Sequence, residues 1–214
     1  RQEYLTGRAL VRTTLSRYAA VDPADWRFEA NRYGRPAIAP AQAHLAPGLV
    51  FNLSHTRGLV ALAVGQECDL GVDVEWICRD NELAKLCDRY FAPREAAYVR
   101  AGEGAELTER FFAFWTLKEA YIKARGMGLA LPLDGFAYDI TGDAPTIGFE
   151  PSCPDDPARW RFLRRAMGPS HRLALAIASR QGEMRLRFRQ VVPRDDGAPV
   201  DEVALSPGGG QRAP

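Results

Sequence analysis

The chain has 214 residues, 46% of them hydrophobic, which is enough to bury a core as one large domain or two small lobes. Its 28 lysines and arginines balance 27 aspartates and glutamates, so no global charge favours nucleic acid and any anion site must be local. No apolar run approaches the roughly 20 residues that span a bilayer and no signal peptide is recognisable, so we expect a cytoplasmic protein without a nucleic-acid or membrane partner.

The first segment, residues 1–20, has the periodicity of a helix with a basic edge. Its apolar face carries Tyr4, Val11, Leu15 and Tyr18, and the adjacent stripe carries Arg1, Arg8 and Arg12. The basic stripe either borders an anion or lies in solvent. Because helical periodicity is already present at Arg1, we expect that an upstream segment is missing. A short strand over 26–30 and a basic turn over 31–36 follow, and then a proline-rich loop over 37–48.

Two apolar strands over 49–55 and 59–65 surround a polar turn, which predicts a hairpin. Ser54 and His55 stand where the first of these strands meets the turn. Binding groups are often presented at such positions, but a serine and a histidine also serve turn hydrogen bonding. The pair alone does not decide between the two interpretations.

Residues 70–75 alternate strictly, so Asp73 and Glu75 project from one face of a strand whose other face is apolar. At this spacing the two residues lie roughly 7 Å apart at the backbone, and both carboxylates can reach one hard cation. The alternative is a solvated face of an edge strand. The pattern therefore indicates a candidate metal site.

The segment 111–126 predicts a central helix because it is apolar almost all the way round. Glu119 and Lys123 nevertheless lie between its apolar stripes, four residues apart with the acid first, and Gly126 is placed to end the helix. The two charges are either a half-exposed ion pair or an acid and a base in a dry cleft.

The remaining chain predicts an α+β arrangement. Asp80 or Asn81 can cap a helix that runs to Tyr90, Pro93 opens another helix over 94–100, and an acidic loop covers 101–108. Further strands are predicted over 136–140, 159–165, 173–178 and 184–192. The glycine- and proline-rich end predicts a flexible tail.

Taken together, Asn52-Leu-Ser-His55, Leu70-Gly-Val-Asp-Val-Glu75 and the helix that carries Trp115-Thr-Leu-Lys-Glu119 resemble the 4′-phosphopantetheinyl transferases of the surfactin-synthetase-activating (Sfp) type. The turn Arg32-Tyr-Gly-Arg-Pro36 is similar to that family's Tyr-Gly-Lys-Pro turn. The resemblance implies a pseudo-dimer of two similar α+β lobes with the ligand cleft between them. We therefore expect an N-terminal lobe over 1–78 that lacks its first segment, a C-terminal lobe over 79–192 and a flexible tail over 193–214.

The resemblance also implies the roles of individual residues. Asp73, Glu75 and Glu119 are expected to bind Mg²⁺, with Mn²⁺ as an alternative ion, on the pyrophosphate of coenzyme A. Glu119 is the expected base, directly or through a water, and Lys123 the group that stabilises or protonates the leaving phosphate. The residues expected to bind coenzyme A are Arg12, Arg35, Ser54, His55, Lys118 and Lys123.

The function implied is transfer of the 4′-phosphopantetheine arm of coenzyme A to a serine of an apo acyl or peptidyl carrier protein, with release of adenosine 3′,5′-bisphosphate. Such carriers serve fatty-acid, polyketide and nonribosomal-peptide synthesis, and the protein is expected to be a monomer. Two alternatives stay open. The chain could be a coenzyme A or carrier-protein binding module without transfer activity, or a Mg²⁺-dependent pyrophosphate hydrolase.

Overall fold

The protein is described from a computed structural model over residues 2–78, 82–179, 184–191, 199–205 and 211–212. The helices in this part of the chain are α1 (Gln2–Leu15), α2 (Leu83–Tyr90), α3 (Pro93–Arg100) and α4 (Gly104–Arg125). The strands are β1 (Phe28–Ala30), β2 (Pro36–Ile38), β3 (Leu49–Thr56), β4 (Leu59–Gln66), β5 (Cys68–Trp76), β6 (Phe136–Asp139), β7 (Thr146–Phe149), β8 (Trp160–Ala166), β9 (His171–Ser179), β10 (Met184–Arg189), β11 (Pro199–Leu205) and β12 (Gln211–Arg212). The predicted α+β class is confirmed. None of the described helices is long and apolar enough to cross a membrane.

Helix α4 packs at the centre of the largest hydrophobic cluster, as its all-round apolar sequence predicts. It begins at Gly104, so the predicted loop over 101–108 is wrong for its second half, where Ala105, Glu106 and Leu107 are good helix formers. The helix ends at Gly126, whose φ of 63° lies in the left-handed region that favours glycine. The predicted helix stop is therefore confirmed.

The central sheet has the order β5-β9-β8, and all its pairs are antiparallel. Helix α4 lies across β5 and β9. This close packing depends on small residues, because a Cβ on Gly71 would lie 2.0 Å from the carbonyl oxygen of Ala120. Ala174 and Ala176 of β9 are buried in the same cluster as the apolar face of α4. The small residues therefore bring the charged part of α4 directly onto β5.

The hairpin β3–β4 matches its prediction and packs against α1. Val11 and Leu15 of α1 are buried in this second cluster, together with Trp26 and Phe51. Tyr4 and Tyr18, which the periodicity places on the same face, are instead 58% and 63% exposed. The helix ends at Leu15, so Tyr18 no longer follows its periodicity.

Side chains, not a backbone ladder, join β3 to β5. Asn52 Oδ1 accepts a hydrogen bond from Val72 N at 2.9 Å. Ser54 Oγ accepts one from Val74 N, and Thr56 Oγ1 accepts one from Trp76 N, each at 3.2 Å. Alternate residues of β3 therefore satisfy alternate N–H groups of β5, as the period of two in strands allows.

The pairing of β5 with β9 connects the two halves of the chain. It runs from Cys68 opposite Ser179 to Trp76 opposite His171, so a strand of the predicted N-terminal lobe forms a ladder with a strand of the predicted C-terminal lobe. The division into lobes at residue 78 stays a prediction.

The predicted flexible tail over 193–214 stays a prediction, but two of its segments form strands. Pro199–Leu205 forms β11, which pairs with β10, and Gln211–Arg212 pairs with β11 in turn. The sequence of β11 contains Val200 and Val203, and β-branched residues favour extended backbone. The other residues of the predicted tail lie outside the described part of the chain, as do the predicted caps Asp80 and Asn81.

Candidate active site

Asp73 of β5 is the centre of a polar cluster under α4. Its side chain is buried, and its Oδ1 accepts hydrogen bonds from Lys123 Nζ at 2.7 Å and from Ser54 Oγ at 3.1 Å. Lys123 Nζ also donates to Ser54 Oγ at 2.8 Å. The structure thus brings together Asp73, Ser54 and Lys123, which come from three different elements.

Glu119 lies one helical turn before Lys123 and in the same electrostatic environment. Its pKa is raised from 4.5 to about 7, first by burial and then by the negative charges of Asp73 and Glu75, which the positive charge of Lys123 opposes. A carboxyl group that titrates near neutral pH can accept or donate a proton under ordinary conditions. Glu119 can therefore take part in proton transfer in either direction near neutral pH.

Glu75 occupies the same face of β5 as Asp73, two residues further on. Its Oε1 accepts a hydrogen bond at 3.0 Å from Nε1 of Trp115, which lies one turn before Glu119 on α4. The indole thus fixes the direction of this carboxylate. The alternation of the sequence predicted that Asp73 and Glu75 share a face, but it gave no indication of the contact with Trp115.

The donor set fits a hard cation in its chemistry, although the described residues contain no group of three His, Cys, Asp or Glu side chains already placed to hold a metal. Oδ2 of Asp73 is buried and has no hydrogen-bond partner within the described chain. A buried carboxylate oxygen without a partner is energetically costly. The negative charges of Asp73 and Glu75 also raise the pKa of Glu119, so the three carboxylates repel one another. Carboxylate oxygens are the ligands that Mg²⁺ takes in proteins.

Lys118 does not join this cluster. Its side chain is fully buried on another side of α4, where Nζ lies 2.8 Å from Glu95 Oε2 and donates to the carbonyl oxygens of Leu133 and Phe136 at 2.7 Å each. All three protons of the ammonium thus have a partner in the protein. Burial lowers the pKa of Lys118, which the negative charge of Glu95 opposes. The structure gives Lys118 no exposed surface for coenzyme A.

Arg35 lies at the C-terminal end of α4. Its guanidinium donates to the carbonyl oxygen of Ala124 at 2.6 Å and to that of Leu70 at 3.0 Å, so it connects the last turn of the helix with β5. Asn31 of the same turn donates to the carbonyl oxygen of Gly126 at 2.7 Å. The basic turn therefore caps carbonyl groups that the helix leaves without partners. A phosphate contact of Arg35 stays a prediction.

Two other predicted coenzyme A ligands lie away from Asp73. His55 is exposed, since it follows Ser54 on β3 and adjacent strand residues point to opposite faces. Arg12 donates to the carbonyl oxygens of Pro23 and Ala24 at 2.8 and 3.1 Å, and its guanidinium lies over the ring of Phe28. Both assignments rest on the resemblance alone.

The sequence interpretation missed Asn52, Thr56 and Trp115, which hold the site together. The polar residues at 52, 54 and 56 share one face of the strand and were a usable signal, because polar side chains facing a sheet need partners. The indole contact to Glu75 had no comparable signal in one sequence.

Comparison with known proteins identifies the relatives of this chain. A family model described as "4′-phosphopantetheinyl transferase superfamily" matches residues 69–178, which include β5, α4 and β9. The chain is 31% identical over 175 residues to the 4′-phosphopantetheinyl transferase Sfp of Bacillus subtilis, covering 81% of this chain and 73% of that protein. It is 35% identical over 130 residues to the 4′-phosphopantetheinyl transferase HetI of Nostoc sp., covering 61% of this chain and 54% of that protein.

Among solved structures, the holo-[acyl-carrier-protein] synthase of Thermotoga maritima aligns with a TM-score of 0.42 and 17% identity, over 57% of this chain and 69% of that chain. The match to HetI spans only about half of that protein's length. The family model covers Asp73, Glu75, Glu119 and Lys123, the charged residues that meet under α4. By the extent of these matches, the chain belongs to the 4′-phosphopantetheinyl transferase superfamily.

Proposed function

We propose that this chain transfers the 4′-phosphopantetheine arm of coenzyme A to a serine of an apo acyl or peptidyl carrier protein. The observation that carries the proposal is the arrangement of Asp73, Glu119 and Lys123 where α4 crosses β5. Lys123 donates to the buried carboxylate of Asp73, and both residues influence the raised pKa of Glu119. The relatives named 4′-phosphopantetheinyl transferases support the same reaction.

Asp73, Glu75 and Glu119 are the residues that would hold Mg²⁺ in this proposal. A cation held there would offset the negative charge of the coenzyme A pyrophosphate and would polarise the phosphoryl group that is attacked. The unpaired Oδ2 of Asp73 supports this assignment, because a cation would provide the partner that the described chain does not. Mn²⁺ has the same preference for carboxylate oxygens and is an alternative ion.

In the proposed reaction, the serine hydroxyl oxygen of the carrier attacks the phosphorus atom that bears the pantetheine arm. Glu119 accepts the hydroxyl proton, directly or through a water, which its pKa of about 7 permits near neutral pH. The bond between this phosphorus and the bridging oxygen breaks, and adenosine 3′,5′-bisphosphate leaves. Lys123 stabilises the negative charge on the leaving phosphate or donates a proton to it.

Ser54 is proposed to orient Lys123 and to contribute to nucleotide binding with Arg35 and His55. In the structure its hydroxyl lies between Asp73 and Lys123, so it can keep either group in place when ligand binds. We propose no coenzyme A contact for Lys118, because its ammonium is fully buried and all its protons have partners.

The test is incubation of the purified chain with coenzyme A, Mg²⁺ and apo carrier proteins, followed by mass spectrometry of the carrier. Gain of one phosphopantetheine arm on serine, dependent on coenzyme A and Mg²⁺ and absent with Glu119→Gln, supports the proposal. Binding of coenzyme A without any transfer to a panel of acyl and peptidyl carriers identifies a binding module. Release of adenosine bisphosphate without a carrier identifies a hydrolase.

A further inference from the structure

A separate cavity of about 330 Å³ lies beside the N-terminal half of α4. Its walls include Tyr98 of α3, Arg110 of α4, Arg164 of β8 and Arg172 of β9. Arg110 and Glu119 are nine residues apart, so they project about 180° apart around α4. The cavity therefore opens on the other side of α4 from Glu119, although Arg164 and Arg172 lie on the same sheet face as Asp73 and Glu75. Its size lies at the lower end of the range for small-molecule sites.

Two of the arginines are already engaged. Arg172 forms a two-point contact with the carboxylate of Glu109, in which Nε donates to Oε2 at 2.7 Å and Nη2 donates to Oε1. Arg110 pairs with Glu106 at 2.6 Å, donates to the carbonyl oxygen of Tyr98 at 2.7 Å and lies over the Tyr98 ring. Their positions are thus fixed before any ligand arrives.

Arg164 is different, because it makes no hydrogen bond or ion pair within residues 2–78 and 82–179. It lies opposite Ala174 in the ladder, so its side chain takes the face of the sheet that α4 covers, and it is half-buried. Burial lowers the pKa of Arg164, which the phenol of Tyr98 opposes. The guanidinium has five N–H donors, and none of its nitrogens is both buried and without a partner, so they remain accessible to a ligand in the cavity.

We propose that this cavity is an anion site for a small molecule that carries a phosphate monoester, with Arg164 as the principal ligand. A phosphate dianion offers three oxygens and matches a fork of guanidinium donors, with Arg110 and Arg172 held at the sides. Tyr98, Ile140 and Leu173 supply an apolar wall for the organic part. This inference does not depend on the proposed transfer reaction.

The experiment uses the full chain in buffer with a metal chelator, so that the carboxylates around Asp73 repel anions. Phenyl phosphate, benzoate and phenol each contain one benzene ring. They carry a phosphate, a carboxylate and a neutral hydroxyl group, respectively. The arginine Nε–H signals are followed by nuclear magnetic resonance during each titration, and the Arg164 signal is assigned by its loss in Arg164→Gln. We expect phenyl phosphate to shift this signal saturably and phenol to leave it unchanged.

Arg164→Gln is expected to weaken binding about tenfold or more, since a charge-assisted contact is lost. Arg27→Gln removes the same charge from an exposed position and should bind as the wild type does. Ala113→Leu fills the cavity wall while it keeps Arg164, and should also abolish binding. The proposal is overturned if Arg164→Gln or Ala113→Leu binds like the wild type, if Arg27→Gln weakens binding equally, or if benzoate binds more tightly than phenyl phosphate.

Discussion

Nζ of Lys123 lies 2.7 Å from Oδ1 of Asp73, so an ammonium on α4 is paired with a buried carboxylate on β5. The pair fixes the charged turn of the helix against the strand. It also holds a proton donor beside the carboxylates that are proposed to bind a cation.

Lys123→Ala is expected to lower kcat more than it raises the KM for coenzyme A. The reason is that negative charge on the leaving phosphate develops in the transition state, and an ammonium directed at it contributes mainly there. Steady-state kinetics with a carrier protein at saturation checks this. A rise of KM alone would make Lys123 a ground-state phosphate ligand.

Metal-free protein is expected to lose stability as the pH rises from about 4.5 to about 7. The folded-state pKa of Glu119 is raised to about 7, so its stabilising contribution is present below its unfolded value of 4.5 and is lost as it ionises in the fold. The loss is at most about 3 kcal/mol, from the size of the shift. Denaturant unfolding at pH 5 and 7.5, with a chelator, measures it.

Glu119→Gln is the control for this pH dependence, because its side chain has a similar shape and no titration. The difference between the unfolding free energies of wild type and variant should change across this pH range. Its dependence on pH should become weaker when Mg²⁺ is added. A difference that stays constant without metal would show that Glu119 titrates at its ordinary value.

Lys118→Met is expected to destabilise the fold by about 3 to 5 kcal/mol, because it leaves the buried carboxylate of Glu95 without its partner. Glu95 also accepts hydrogen bonds from Ala92 N and Tyr138 N, so the ion pair connects α4, α3 and β6. The double variant Lys118→Met, Glu95→Gln should recover part of the loss. If Lys118→Met keeps the melting temperature and raises only the KM for coenzyme A, Lys118 is a ligand as the resemblance implies.

Gly71→Ala is expected to cost about 3 kcal/mol or more, since the new Cβ would lie 2.0 Å from the carbonyl oxygen of Ala120 and 2.4 Å from Ala124 N. These are backbone atoms, which cannot rotate away as a side chain can. Gly142→Ala is the matched control, because its nearest atom would be 4.0 Å away. Thermal unfolding of both variants tests the dependence of the α4 position on this glycine.

The sequence predicted the elements of the site better than their contacts. Period-two alternation predicted the shared face of Asp73 and Glu75, and the four-residue spacing predicted that Glu119 and Lys123 are neighbours. It could not predict which side Lys118 takes, because a helix that is apolar all round has no solvent face to which a charge must turn. The ladder of β5 with β9 is also a long-range pairing, and a single sequence contains no local signal for it.

The last prediction concerns Arg35, which has both an expected and an observed role. Its two carbonyl contacts hold Ala124 and Leu70 together, so Arg35→Ala is expected to lower the unfolding free energy by about 1 to 3 kcal/mol. Arg35→Lys should recover only part of this loss, because an ammonium lacks the planar fork that reaches both carbonyl oxygens. The melting temperatures of the two variants check the structural role.

Titrations with coenzyme A and dephospho-coenzyme A separate that role from phosphate recognition. If Arg35 binds the 3′-phosphate, the wild type binds coenzyme A about 10- to 100-fold more tightly than dephospho-coenzyme A. Arg35→Ala then binds the two ligands with similar affinity. If Arg35 acts only on the backbone, the variant weakens both ligands by the same factor. The comparison has to be made at one ionic strength, because salt screens the contribution of an exposed phosphate charge.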